Sequence, residues 1–126
     1  MKQPHASPPG PSTRELGRAA ELRAERFLHT KGYCTVIRNF TAKTGEIDLI
    51  MNNADTLVFI EVRARRDSAY GTGADTVDVR KQLKIIQTAQ LFLQRQRHLP
   101  WESYRFDVIS IGKDIDWIPG AFTLDC

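Results

Sequence analysis

A chain of 126 residues with 41% hydrophobic and 26% charged side chains fits one ordinary globular domain, long enough to bury a core. Its net charge of +3 permits nucleic-acid binding without demanding it. Two cysteines and three scattered histidines exclude a disulfide framework and a zinc pattern; no stretch has the length of a membrane span or the apolar run of a secretory signal, so a cytoplasmic, non-membrane protein is expected.

Residues 1–11 hold Pro4, Pro8, Pro9 and Pro11 and few apolar side chains, which predicts a disordered tail. A single domain over 12–122 and a short C-terminal tail over 123–126 are expected. Ser12-Thr13-Arg14-Glu15 fits a capping box, with Ser12 as N-cap and Glu15 reaching back to it. The spacing predicts a helix to about Lys31, stopped by Gly32. At about 100° per residue, Leu16, Ala20, Ala24 and Phe27 share one face, which Leu28 widens. Glu21 lies at the border of that face, where a carboxylate either reaches over a sheet edge or stays in water.

Tyr33 to Arg38 reads as a first strand. Gly45-Glu46-Ile47-Asp48-Leu49-Ile50 and Phe59-Ile60-Glu61-Val62-Arg63 then form two apolar runs with acids at alternate positions, joined by a polar stretch of hairpin length. A turn at Asn53-Ala54-Asp55-Thr56 places Asp48 opposite Glu61 and Glu46 opposite Arg63. Directly opposed residues share a face, with Cβ atoms about 4.5–5.5 Å apart. One face would carry Glu46, Asp48, Glu61 and Arg63; the other, Ile47, Leu49, Met51, Val58, Ile60 and Val62, would be core. Opposed carboxylates about 4 Å apart repel by about 1 kcal/mol in water and about 4 kcal/mol at an effective dielectric near 20. A shared proton, a cationic side chain or a hard divalent ion relieves that. A solvated face with a Glu46–Arg63 ion pair is the plainer alternative.

Ala64 to Asp75 reads as a polar loop with Arg65, Arg66, Gly71 and Gly73. A long helix should run from an N-cap at Asp78 to about Arg97, with Val79, Leu83, Ile85, Ile86, Ala89, Phe92 and Leu93 covering half its circumference. Gln82 falls inside that arc, where it makes either a structural hydrogen bond or a contact to a site water. Tyr104 to Ile111 is a further strand, and Asp116-Trp117-Ile118 a short edge strand. A strand, helix, strand sequence suits a parallel crossover.

The Asp48, Glu61-Val62-Arg63 pattern resembles the PD-(D/E)XK nuclease superfamily, the restriction-endonuclease-like fold, and within it the Holliday-junction resolvases. A closer resemblance is to the YraN family of small bacterial proteins. It rests on Gly17-Arg18-Ala19-Ala20-Glu21, Phe27-Leu28, Gly32-Tyr33, Arg38-Asn39, Gly45 to Ile50, Val58 to Arg63, Val77 with Lys81-Gln82, Arg105-Phe106-Asp107-Val108, and Trp117 with Ala121-Phe122. The resemblance implies an α/β fold, a restriction-endonuclease-like mixed β-sheet flanked by helices. It implies Asp48, Glu61 and Glu21 as ligands of Mg²⁺ or Mn²⁺, with Arg63 in place of the usual lysine. Arginine stays protonated and cannot act as a base, but can clamp a phosphate.

The expected function is that of a metal-dependent endonuclease-like protein acting on or binding DNA, with branched or structured DNA among its substrates. Asp48, Glu61, Arg63 and Glu21 would form its site. Arg63, Arg65, Arg66 and Lys81 would contact nucleic acid, and Glu46 and Gln82 would support. A non-catalytic nucleic-acid-binding protein on the same scaffold is the alternative, a protein-interaction module a third, and a homodimer is compatible with the resolvase resemblance.

Overall fold

A computed structural model describes residues 10, 12–65, 77–96 and 101–123. Its elements run α1 (Thr13–Thr30), β1 (Cys34–Ala42), β2 (Gly45–Asn53), β3 (Thr56–Ala64), α2 (Val79–Arg95), β4 (Ser103–Ile111) and β5 (Ile115–Phe122). The strands form one sheet in the order β1-β2-β3-β4-β5. Neighbours are antiparallel except β3 and β4, which run parallel on either side of the α2 connection. This is the mixed α/β sheet flanked by helices that the sequence predicts. Gly10 apart, the predicted tail 1–11 lies outside the described residues, as do most of the predicted polar loop, Arg66 included, and residues 124–126. No helix among the described residues is long and apolar enough to cross a membrane.

Local sequence sets the element ends. The Ser12 hydroxyl accepts the Glu15 N–H at 3.1 Å and Glu15 Oε1 accepts the Ser12 N–H at 3.0 Å, completing the capping box. Gly32 takes φ 92° just past α1, a conformation that costs glycine little. Asp78 caps α2 through the Lys81 N–H, 2.9 Å away. The β2–β3 hairpin turns on Ala54-Asp55, between the paired Asn53 and Thr56.

Each face of the sheet carries a core. On one face Ala24 and Leu28 of α1 pack with Leu49, Met51, Val58, Ile60 and Ile109 of the sheet. On the other Ile85 and Phe92 of α2 pack with Phe40, Ile47, Ile50, Phe59 and Phe106. Phe92 meets Phe40 and Phe59 edge-on, and Phe59 stacks on Phe106. Three apolar residues expected in the core are exposed: Leu16, Val79 and Leu83. The sheet covers a narrower stripe of α2 than the sequence suggests, the row Ile85, Thr88, Ala89 and Phe92. Leu83 lies nearly opposite that row on the helical wheel.

Two strands are longer than predicted. The sequence ends the first strand at Arg38, yet β1 continues through Asn39, which takes φ 51°. Asparagine is among the few residues that tolerate this region. Beyond it, Phe40 to Ala42 pair with Ile47 to Gly45. The last strand likewise runs on through Pro119 and Gly120 to Phe122, as an edge strand can.

Candidate metal centre where two strands part

The β2–β3 register agrees with the sequence expectation from Asn53↔Thr56 to Leu49↔Ile60, where the regular ladder stops. One residue further on, Asp48 Oδ2 accepts the Val62 N–H at 2.8 Å. A side-chain carboxylate has taken the place of a ladder carbonyl, so the strands separate there. The alternation of β2 breaks at the same point. Ile47 belongs to the core under α2 and Leu49 to the core under α1, although residues two apart normally share a face. Across β1, the pairs Arg38↔Leu49 and Phe40↔Ile47 bracket Asn39 and its positive φ. The expected all-apolar face containing both Ile47 and Leu49 is therefore corrected: the kink at Asn39 and Asp48 sends Ile47 to the opposite side.

The break gives Asp48 access to both faces. Glu61 approaches from the α2 side and Glu21 from α1. Burial raises the Asp48 carboxyl, the Glu61 charge raises it further, and Glu21 adds a smaller push, against the Val62 hydrogen bond; together they lift it to about 8. Asp48 and Glu61 share a hydrogen bond that contributes to the rise. Glu61 is buried, and its Oε2 lies 2.5 Å from Lys81 Nζ in the first turn of α2. Glu21 accepts a hydrogen bond from Asn39 Nδ2 at 3.0 Å. Glu46 is exposed and accepts from the Thr41 hydroxyl at 3.3 Å.

Glu21 and Glu46 line a cleft of about 570 Å³ with Arg14, Gly17, Arg18 and Asn39. Sequence reasoning missed Arg14 and Arg18. The signal was present: both sit on one side of α1, seven and three residues before Glu21, so they line the same helix face. An adjoining cleft shares Arg18, Glu21 and Asn39 and adds Arg38 and Leu49.

The remaining predicted site residues divide by their partners. Arg63 follows Glu61 on the same face of β3 and is half-buried. Arg65 is spent on the sheet: its guanidinium donates to the Ser110 hydroxyl at 3.0 Å and the Asp114 carbonyl at 3.1 Å, with Asp116 at 3.6 Å. Gln82 donates to the Val77 carbonyl at 2.7 Å, a structural bond that fastens the entry to α2. Lys81 reaches Glu61 rather than solvent alone.

Among the described residues, no three His, Cys, Asp or Glu side chains stand close enough to hold a metal. The donor set is thus the pair Asp48 and Glu61, with Glu21 nearby and held by Asn39. Two carboxylates fit a hard divalent ion, because Mg²⁺ commonly takes one or two and completes its shell with waters and substrate phosphates.

The fold and site together define an α/β protein with an acidic pair set where two central strands part. The chain matches the family described as Uncharacterised protein family UPF0102, the YraN family, over residues 20–111. It is 43% identical over 115 residues to a UPF0102 protein of Ectopseudomonas mendocina, covering 88% of this chain and 97% of that one. It is 45% identical over 111 residues to a UPF0102 protein of Stutzerimonas stutzeri, covering 84% and 92%. Against the UPF0102 protein VP0448 of Vibrio parahaemolyticus the identity is 40% over 115 residues, covering 89% and 95%. The chain belongs to the UPF0102 family.

Proposed function

We propose that this protein is a metal-dependent, nuclease-like phosphodiester hydrolase acting on DNA, branched or otherwise structured DNA included. The observation that carries the reading is the Asp48–Glu61 pair, largely withdrawn from water and repulsive, at the one place among the described residues where β2 and β3 leave their ladder. A fold gains nothing in stability from such a pair unless a shared proton or a cation joins it. Its resemblance to the Asp and Glu-x-Lys hairpin of PD-(D/E)XK nucleases supplies the reaction class.

Asp48 and Glu61 would hold Mg²⁺ or Mn²⁺ in this reading, and Glu21, which lines the adjoining cleft, would add a third carboxylate or hold a water for it. When bound, such an ion supplies Lewis acidity toward water and phosphate. Arg63, beside Glu61 on the same strand face, holds the scissile phosphate and neutralises charge that grows on it. Arg14 and Arg18 position the backbone of the nucleic acid along the cleft, an interaction that adds affinity without reading sequence.

Cleavage of labelled linear, flapped and four-way DNA in Mn²⁺ tests this. The wild type should cut at least one form, and Asp48→Ala and Glu61→Ala should not. Equal cutting by all three proteins would reveal a contaminant and end the proposal. A second reading, a DNA-binding protein without turnover, is favoured by the Lys81 ammonium already seated on Glu61. It predicts salt-dependent binding that survives Asp48→Ala, with no product in any metal.

A further inference from the structure

The ion pair of Lys81 and Glu61 joins the start of α2 to the middle of the sheet. Lys81 Nζ stands 2.5 Å from Glu61 Oε2; the lysine side chain is 55% exposed and the glutamate 7%. The stem of the lysine is fixed. Asp78 caps its backbone N–H at 2.9 Å, and the next residue, Gln82, ties the turn to the Val77 carbonyl at 2.7 Å. The tip is a flexible four-carbon chain carrying a strongly hydrated point charge. A first helical turn is an unfavourable place for a cation, because the helix dipole is positive there. Among its described residues, α2 has no acidic side chain within that turn; the nearest acid on the chain is the N-cap Asp78, whose carboxylate is engaged by the Lys81 backbone N–H rather than its ammonium. The ammonium is met by the Glu61 member of the acidic pair.

We propose that Lys81 is a tethered counter-ion: its ammonium takes the cation position of the Asp48–Glu61 pair in the metal-free protein, and a divalent ion enters by displacing it. This rests on the reading of that pair as a metal site. The exchange is one of cations alone; nothing is made or broken except the ion pair and the new metal–carboxylate bonds. The half-exposed lysine can swing into solvent, where an ammonium is well hydrated, while the buried glutamate stays in place. The arrangement gives the buried Glu61 carboxylate a cation in the metal-free protein, and it weakens metal binding by the strength of the ion pair that must first open.

Titration of Mn²⁺ into the full-length, metal-stripped protein tests the exchange directly, without any substrate. Calorimetry on the wild type, Lys81→Met, Lys84→Met and Asp48→Asn gives the comparison. Lys84 lies one turn further along α2 and is exposed, so it controls for the loss of a nearby positive charge. Lys81→Met should bind Mn²⁺ about tenfold more tightly than the wild type or more, Lys84→Met should match the wild type, and Asp48→Asn should lose binding. A wild type that takes up no Mn²⁺ while Lys81→Met does would also support the tether, and would count against a metal-dependent activity. Equal or weaker binding by Lys81→Met overturns the tether and leaves the metal site standing. No binding by either protein overturns both. Melting curves of each variant without metal check that all are folded; the two Lys→Met changes fall on exposed helical side chains.

Discussion

Asp107 and Asp48 are acids in strands of the same sheet, and the protein treats them in opposite ways. Asp107 is 1% exposed and fully matched. It accepts from Arg105 Nε at 2.8 Å and Nη2 at 2.9 Å, from Trp117 Nε1 at 2.9 Å and from the Gly120 N–H at 2.9 Å. Arg105 in turn reaches the Tyr33 hydroxyl at 2.8 Å. Glu25 on α1 is handled alike. Burial alone would raise it, but hydrogen bonds from Arg38 and Thr35, with the Arg38 charge, hold it below the usual carboxylate range. Asp48 accepts the Val62 N–H and otherwise faces two more carboxylates; burial first, then the Glu61 and Glu21 charges, lift it to about 8. A buried acid surrounded by donors locks strands together. A half-buried acid facing other acids waits for a proton or a metal.

The largest effect should come from breaking the matched acid. Asp107→Ala strands Arg105 and leaves the Trp117 and Gly120 donors unanswered, and should cost on the order of 3–5 kcal/mol in urea unfolding. If it costs as little as a surface change, the contrast between the two acids fails.

The unmatched acid should respond with the opposite sign. Asp48→Asn removes a repulsion worth about 1–4 kcal/mol, so the metal-free variant should melt at or above the wild type at pH 8. The pH dependence follows from the raised value. Between about pH 4 and pH 8, folded Asp48 keeps a proton that the unfolded chain, near 3.8, has released. The folded state then binds more protons, so metal-free stability falls as pH rises through that window. Asp48→Asn should lose this slope while Asp107 variants keep it; a wild-type melting profile unchanged by Asp48→Asn from pH 4 to 8 would contradict the assignment.

A smaller effect sharpens the cleft. Arg14→Ala and Arg18→Ala should weaken DNA binding evenly across sequences and reduce the salt slope by about 0.9 for each phosphate no longer neutralised. An unchanged slope in filter or anisotropy titrations would move the DNA path off α1.

Much of the framework is legible in the residues alone. Ser12 and Glu15 mark one helix start, Asp78 another, and Ala54-Asp55 fixes the hairpin register down to Leu49↔Ile60. The site is legible as a pair of acids but not in its shape. Alternation arithmetic assumes a regular pleat, and neither the positive φ of Asn39 nor the carboxylate of Asp48 entering the ladder follows from residue type. The burial of Glu25 and Asp107 escapes a sequence reading because partners of each lie on other elements, Arg38 on β1 for Glu25 and Trp117 on β5 for Asp107, the latter beside Arg105 on the same strand as Asp107. Helical periodicity puts Lys81 just outside the apolar arc of α2, where a contact to nucleic acid is expected. Its reach to Glu61 depends on where α2 starts relative to β3, which periodicity does not fix.

The central claim is that Asp48 and Glu61 form a cation site and Asp107 does not. Thermal unfolding of the metal-stripped chain with and without Mn²⁺ tests it most directly. Mn²⁺ at about 100 times its dissociation constant should stabilise the wild type by about 2.7 kcal/mol, and this gain should vanish in Asp48→Ala and Glu61→Ala. It should persist in Arg105→Lys, which weakens the matched acid while leaving the pair intact. A wild type whose melting is indifferent to Mn²⁺, or a gain that survives Asp48→Ala, would contradict the account.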